Sequence, residues 1–350
     1  MCSKVASDVH HSPYDALLLV SFGGPEGPEE VLPFLENVVC GKNVPRWRLL
    51  EVARHYELLG GVSPINAQNR ALLAALADEL NAHGPPLPVY WGNRHWHPLL
   101  ADTLRQMTED GVRRALAFVA SAFGSYPGCR QYVEDIERAR REVGPGAPPI
   151  DKLRLFFNHP GFIEATAERV AAALSEIPVE KRSVARLLFT AHGIPVATAE
   201  RSPYLRQLRE SCRLVVERLP LAVSPSRGTF GWELVFQSRS GPPSQPWLEP
   251  DIRDHIRRLH ETGGLGHLVI APIGFLAENM EIVYDLDVEV RQLCDELGVD
   301  MVRAAVVGNH PRFVRLIREL IVERLDPTVE RLAFGALGPW PDECPTDCCR

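Results

Sequence analysis

Short apolar runs that alternate with longer amphipathic stretches constrain this chain more than any other feature. Ala16–Phe22 reads as a buried strand, with a helix after it from Pro25 to Val39. Val89–Trp91, Ala115–Val119, Leu153–Phe156, Arg186–Thr190, Glu233–Phe236, Leu268–Ala271 and Val302–Val307 are the other strand candidates. Helical patterns fall between most of them, over Ala67–Asn81, Pro98–Asp110, Tyr132–Arg141, Ile163–Leu174, Pro203–Arg218 and Pro250–Glu261. Strand, helix, strand repeated in this way specifies an α/β chain of parallel sheets with helices on both faces. In open sheets of this kind ligands bind beyond the carboxyl ends of the strands. The residues that follow each apolar run therefore carry the most functional weight.

A chain of 350 residues exceeds one ordinary core and suits two domains. Pro and Gly accumulate near residues 125–150, where two similar halves would join. The expected division is a disordered N-terminus over 1–13 and a first α/β domain over 14–130 plus about 305–330. A second α/β domain over 131–304 and a cysteine-containing tail over 331–350 complete it.

Composition excludes several classes. Hydrophobic residues at 45% and charged residues at 24% belong to a globular protein rather than a disordered one. A net charge of −7 with no basic run argues against a nucleic-acid partner. Runs such as Ala16–Val20 are too short for a transmembrane segment, and residues 1–13 lack the apolar core of a signal peptide. A cytoplasmic location is expected. There the eight cysteines would be thiols rather than a disulfide scaffold. Three of them, Cys344, Cys348 and Cys349, crowd the last seven residues.

The glycine-rich turn Ser21–Pro28 does not match a dinucleotide fingerprint. Pro25 and Pro28 remove backbone donors, and Glu26, Glu29 and Glu30 would repel an anion. His192 follows the run Arg186–Thr190, where an imidazole can accept a proton or ligate a metal at neutral pH. Ala271–Glu289 is the most informative segment. It leaves a strand end and enters a helix that spaces Glu281, Asp285 and Glu289 at i, i+4 and i+8. That spacing lines three carboxylates along one face, either as a solvated stripe or as a row of hard ligands for a divalent cation. No lysine or arginine within the segment offsets their repulsion. Arg94, among Trp91, His95, Trp96 and His97, stands beyond another strand and suits a flat anionic ligand.

Taken together, Ser21–Pro25, Gly60–Pro64, Gly92–Arg94, Ala191-His192, Gln237–Pro242, Pro246–Leu248 and Pro272–Phe275 with Glu281 resemble ferrochelatases, in order and over nearly the whole chain. The likeness is greatest to the coproporphyrin ferrochelatases of actinobacteria. The resemblance implies two doubly wound, Rossmann-like domains with a porphyrin cleft between them. It implies insertion of Fe2+, a substrate, into a porphyrin, coproporphyrin III above protoporphyrin IX. By motif position His192 and Glu281 match the family's catalytic pair, and Asp285 and Glu289 match the acidic row that continues from it. Phe22, Trp247 and Phe275 match residues lining the macrocycle, while Ser63 and Arg94 match polar residues of its pocket. Asn279 stands where many relatives have histidine, and Gly193 replaces a usual serine. Interspersed Lys42, Arg46, Arg48, Glu51, Arg54 and Glu57 leave no apolar lip over residues 40–60, which favours the more polar porphyrin.

The alternatives are a related tetrapyrrole chelatase, which typically uses a histidine pair, and a non-catalytic haem or porphyrin carrier. Four cysteines suit zinc and an iron–sulfur cluster alike. The resemblance favours a 2Fe–2S cluster on Cys344, Cys348 and Cys349, with Cys129 as the fourth ligand. Adjacency of Cys348 and Cys349 strains joint ligation.

Overall fold

The computed structural model describes residues 12–220, 231–241, 244–344 and 348–349. The disordered N-terminus expected over 1–13 therefore lies almost wholly outside the described residues. A first sheet contains β1 (Ala16–Ser21), β2 (Val89–Asn93), β3 (Ala115–Val119) and β4 (Ile150–Lys152), all parallel in the order β2-β1-β3-β4. β1 is central and Leu17, Leu18, Leu19 and Val20 are fully buried, as a strand covered on both faces requires. Its helices are α1 (Val31–Val38), α2 (Arg46–Glu57), α3 (Ile65–His83), α4 (Leu100–Glu109) and α5 (Gln131–Val143).

The second sheet repeats the plan. β5 (Arg186–His192), β6 (Trp232–Gln237), β7 (His267–Ala271) and β8 (Asp300–Arg303) run parallel in the order β6-β5-β7-β8. Its helices are α6 (Pro160–Glu176), α7 (Val196–Glu200), α8 (Tyr204–Glu217), α9 (Ile252–Glu261), α10 (Met280–Ile282) and α11 (Arg291–Leu297). Between α10 and α11 the helix widens into π-type winding over Val283–Val290. The last helix, α12 (Pro311–Leu325), packs on α3 of the first unit and α6 of the second, joining the two.

The structure corrects the boundary expected at 130/131. α5 packs on α4, and β4 pairs with β3 through Ala115 and Ile150, so the first sheet continues to Lys152. The Pro- and Gly-rich stretch is the short connection after α5, opened by Gly144 at φ 99°. Two strands are also displaced. Leu153–Phe156 lies just past β4, and only the start of Val302–Val307 belongs to β8. Both are edge strands, which pair on one side and need no apolar run; the apolar residues after them turn into the core, where Phe156 stacks on Phe118.

The segment 40–60 is not merely charged. Leu49, Ala53 and Tyr56 bury one face of α2, while Trp47, Leu50 and Leu58 remain exposed. The tail, too, has a place to dock. Asn158 accepts from the Phe334 N–H and donates to the Phe334 and Gly338 carbonyls, Arg154 donates to the Leu332 carbonyl, and Trp340 meets Phe157 edge-on. Among the described residues no helix is long and apolar enough to cross a membrane.

Candidate functional site

β5 ends on His192 and β6 ends on its cross-strand partner Gln237. The chain leaving β7 reaches Asn279, whose side chain accepts the Ile282 N–H and so caps the turn that carries Glu281. This brings Glu281 Oε1 to 3.5 Å from His192 Nε2. The Gly193 carbonyl meets His192 Nδ1, and the Tyr204 hydroxyl donates to the His192 carbonyl at 3.0 Å. Burial disfavours a charged imidazole, but the Glu281 carboxylate outweighs it and pushes the His192 pKa up to about 9. Burial likewise works against the Glu281 carboxylate, and the imidazolium reverses this, leaving its pKa below the usual glutamate range.

Asp285 and Glu289 lie on the π-type winding that follows Glu281, a wider turn than the expected α-helix. Asp285 accepts from Ser238 and from Gln237 Nε2. Burial is the main reason its pKa rises to about 6, with the Glu281 charge adding to it. Glu289 lies 3.3 Å from Arg253 of α9, a counter-ion that local sequence does not reveal. His55 of α2 stacks on Tyr284 at 3.7 Å, so the first unit closes against this helix. The described residues hold no group of three or more His, Cys, Asp or Glu already arranged around a metal ion.

The remaining residues named from sequence divide. Phe22 follows β1 and packs against His95 at 4.6 Å between ring centres and Phe34 at 6.3 Å. Trp247 lies over Gly193 and against Gly241, where an added Cβ would strike its indole. Ser63 is buried against Gly24. Arg94 is buried too, paired with Asp135 and over the Tyr132 ring, so its charge is already satisfied inside the first unit. Phe275 packs half-buried on the core of the second sheet, and no ring contact among the described residues joins it to Phe22 or Trp247.

The four cysteines do converge, away from His192. Cys129, Cys344, Cys348 and Cys349 line one cavity of about 500 Å³. The Cys129 thiol donates to Cys344; this contact, with the Lys152 charge, lowers the Cys344 pKa to about 5, while the same contact and burial raise that of Cys129. Cys348 and Cys349 sulfurs lie 3.5 Å apart, and Cys349 adopts φ 64°, in the left-handed region.

The ferrochelatase family model matches residues 14–325. The chain belongs to the ferrochelatase family. A ferrochelatase of Rhodopirellula baltica is 56% identical over 337 residues, covering 96% of this chain and 93% of that one. The coproporphyrin III ferrochelatase of Streptomyces griseus is 49% identical over 352 residues, covering 97% and 94%. Among solved structures, the cobalt complex of the sirohydrochlorin chelatase SirB from Bacillus subtilis subspecies spizizenii aligns with a TM-score of 0.51 over 89% of this chain and 94% of that one. At 12% identity this likeness shows the fold alone.

Sequence reading missed Thr190, Tyr204 and Arg253, and placed Gln237 and Ser238 in a motif without giving either a role. Their partners are remote in sequence, so periodicity carries no trace of them.

Proposed function

We propose that this ferrochelatase-family protein inserts Fe2+ into coproporphyrin III. The contact between His192 and Glu281 at the second sheet's switch point is the observation that carries the reading. Insertion releases two pyrrole protons and takes up a dication that sheds its waters. Neutral His192 accepts a proton, while the Glu281 carboxylate takes the second proton or holds iron in transit. Asp285 and Glu289 offer hard oxygens along the approach. Phe22, Trp247, Ser63 and Phe275 serve the macrocycle, and Arg94 acts from beneath by supporting Phe22, whose ring centre is 5.8 Å from its guanidinium.

The names of the Streptomyces and Frankia alni relatives support coproporphyrin III, the latter 49% identical. Four propionates need more polar partners than two, and the 40–60 segment carries Lys42 and Arg54 besides Arg46 and Arg48, which pair with Glu36 and Glu51. Protoporphyrin IX is the second reading, favoured by exposed Trp47, Leu50 and Leu58. Anaerobic insertion assays with both porphyrins decide between them. A higher specificity constant for coproporphyrin III is expected; a higher one for protoporphyrin IX reverses the choice, and no insertion at all removes the reading.

The reading also includes a 2Fe–2S cluster on Cys129, Cys344, Cys348 and Cys349 and action in the cytoplasm, where free thiols persist. Four thiols line one cavity beside Lys152 and are the right donors for such a group, which would have to draw them together, since they are not gathered at metal-binding spacing. Bound there it would supply a structural tie between tail and first unit. Protein purified without oxygen should contain about two irons and two sulfides per chain. Colourless protein holding zinc would assign the site to zinc instead.

A further inference from the structure

We infer that Gln237 is a positioning residue for the iron path: its amide, oriented by Thr190, holds the turn of Glu281 and the carboxylate of Asp285 beside His192. The inference rests on the proposed iron insertion. Gln237 is buried at the end of β6, and its carbonyl accepts the Gly193 N–H at 2.8 Å, tying it to the strand that carries His192. Its side chain spans to the opposite element. Nε2 donates to the Glu281 carbonyl at 3.1 Å and to Asp285 Oδ2 at 3.2 Å. A backbone carbonyl and a carboxylate only accept, so they require the NH2 end of the amide. The Thr190 hydroxyl donates to Oε1 at 2.9 Å and fixes that orientation from the other side. Ser238, at φ 61°, turns its own hydroxyl onto the same carboxylate, a left-handed conformation with a cost that the contact offsets. Gln237 thus joins the carboxyl ends of β5 and β6 to the segment that follows β7.

A residue that only stabilises the fold would lower the amount of active enzyme. A positioning residue changes how iron is handled. Gln237→Met, which keeps the length and removes the donor, is expected to raise the KM for Fe2+ roughly tenfold or more, since hydrogen bonds to charged groups are worth that much. Coproporphyrin binding, read by fluorescence quenching, should change little, and turnover at saturating iron should fall less than the specificity constant for iron. Gln237→Glu is isosteric and is expected to raise the iron KM as well, although it adds negative charge to the path. Thr190→Val should give a smaller rise that Thr190→Ser reverses. In the Gln237→Met background Thr190→Val should add nothing, because Thr190 acts through the amide. Unchanged iron KM in Gln237→Met with active wild type overturns the inference, as does a lower KM in Gln237→Glu, which would make charge alone the determinant. A wild-type chain that inserts no iron removes the functional reading and the inference together.

Discussion

At the carboxyl end of the first sheet stand Phe22 after β1 and Arg94 after β2; at that of the second stand His192 on β5, Gln237 on β6 and Glu281 beyond β7. The strand order is the same in both sheets. The difference lies in which polar groups are already satisfied. Arg94 and Asp135 neutralise each other inside the first unit, their side chains 3% and 4% exposed. His192 and Glu281 pair at 3.5 Å with side chains 34% and 47% exposed, so solvent-borne ions and protons still reach them. One sheet offers a rigid apolar platform, the other a titratable edge. On the proposed function, equivalent topological positions would serve ring binding alone in one half and chemistry beside ring binding in the other.

The largest expected effect lies on the second sheet. His192→Ala and Glu281→Gln should each reduce iron insertion by ~10²–10⁴-fold, the range for a lost proton acceptor, with coproporphyrin affinity retained. Near wild-type turnover in either would erase the distinction between the sheets. On the first sheet, Arg94→Leu leaves Asp135 buried with Arg138, at 2.8 Å, as its remaining ion-pair partner among the described residues. Breaking a buried pair costs about 3–5 kcal/mol, and chemical denaturation should find a loss near the lower figure, with turnover of the folded fraction preserved. A turnover defect without a stability loss would move Arg94 into the chemistry. Phe22→Ala should act through porphyrin KM rather than kcat, as loss of uniform binding does.

Acidity sharpens the same contrast. The Glu281 carboxylate stabilises the protonated imidazole and pushes the His192 pKa up to about 9. The specificity constant for iron should therefore rise with pH towards 9, and in Glu281→Gln the midpoint should fall towards the ordinary imidazole value. The matching stabilisation is complete below the unfolded pKa of about 6.5 and disappears as pH rises through 9. A wild-type midpoint already near 6.5 would show that the pair does not hold the proton. The smallest effect belongs to Arg253 and Glu289. Arg253→Ala frees the outer carboxylate and should lower the iron KM slightly at low salt and less at high salt, as an exposed pair screened by ions requires.

How legible these halves were in sequence follows from where each signal resides. β1, β3, β5 and β7 are central or next to centre, buried on both faces, and their apolar runs coincide with them closely. Of the four edge strands, β2 and β6 also fall on their apolar runs, whereas β4 and β8 were displaced towards the apolar residues that follow them. Asp285 and Glu289 were legible because one helix carries the row. Arg253 lies 36 residues from Glu289, and Gln237 lies 47 from Thr190 and 48 from Asp285. Such pairs exist only once the sheet has assembled. α2 misled for another reason: charges at its surface hide a three-residue buried face and leave Trp47 exposed beside it.

The central claim is that His192 and Glu281 perform the insertion while the rest of the cleft binds the ring. One experiment addresses both parts on the same preparation: fluorescence titration with coproporphyrin III, followed by anaerobic addition of Fe2+, for wild type and Glu281→Gln. Both proteins should bind the porphyrin with similar affinity, and only wild type should lose its fluorescence to the iron product at an enzymatic rate. Equal rates of metallation in the two proteins would contradict the account.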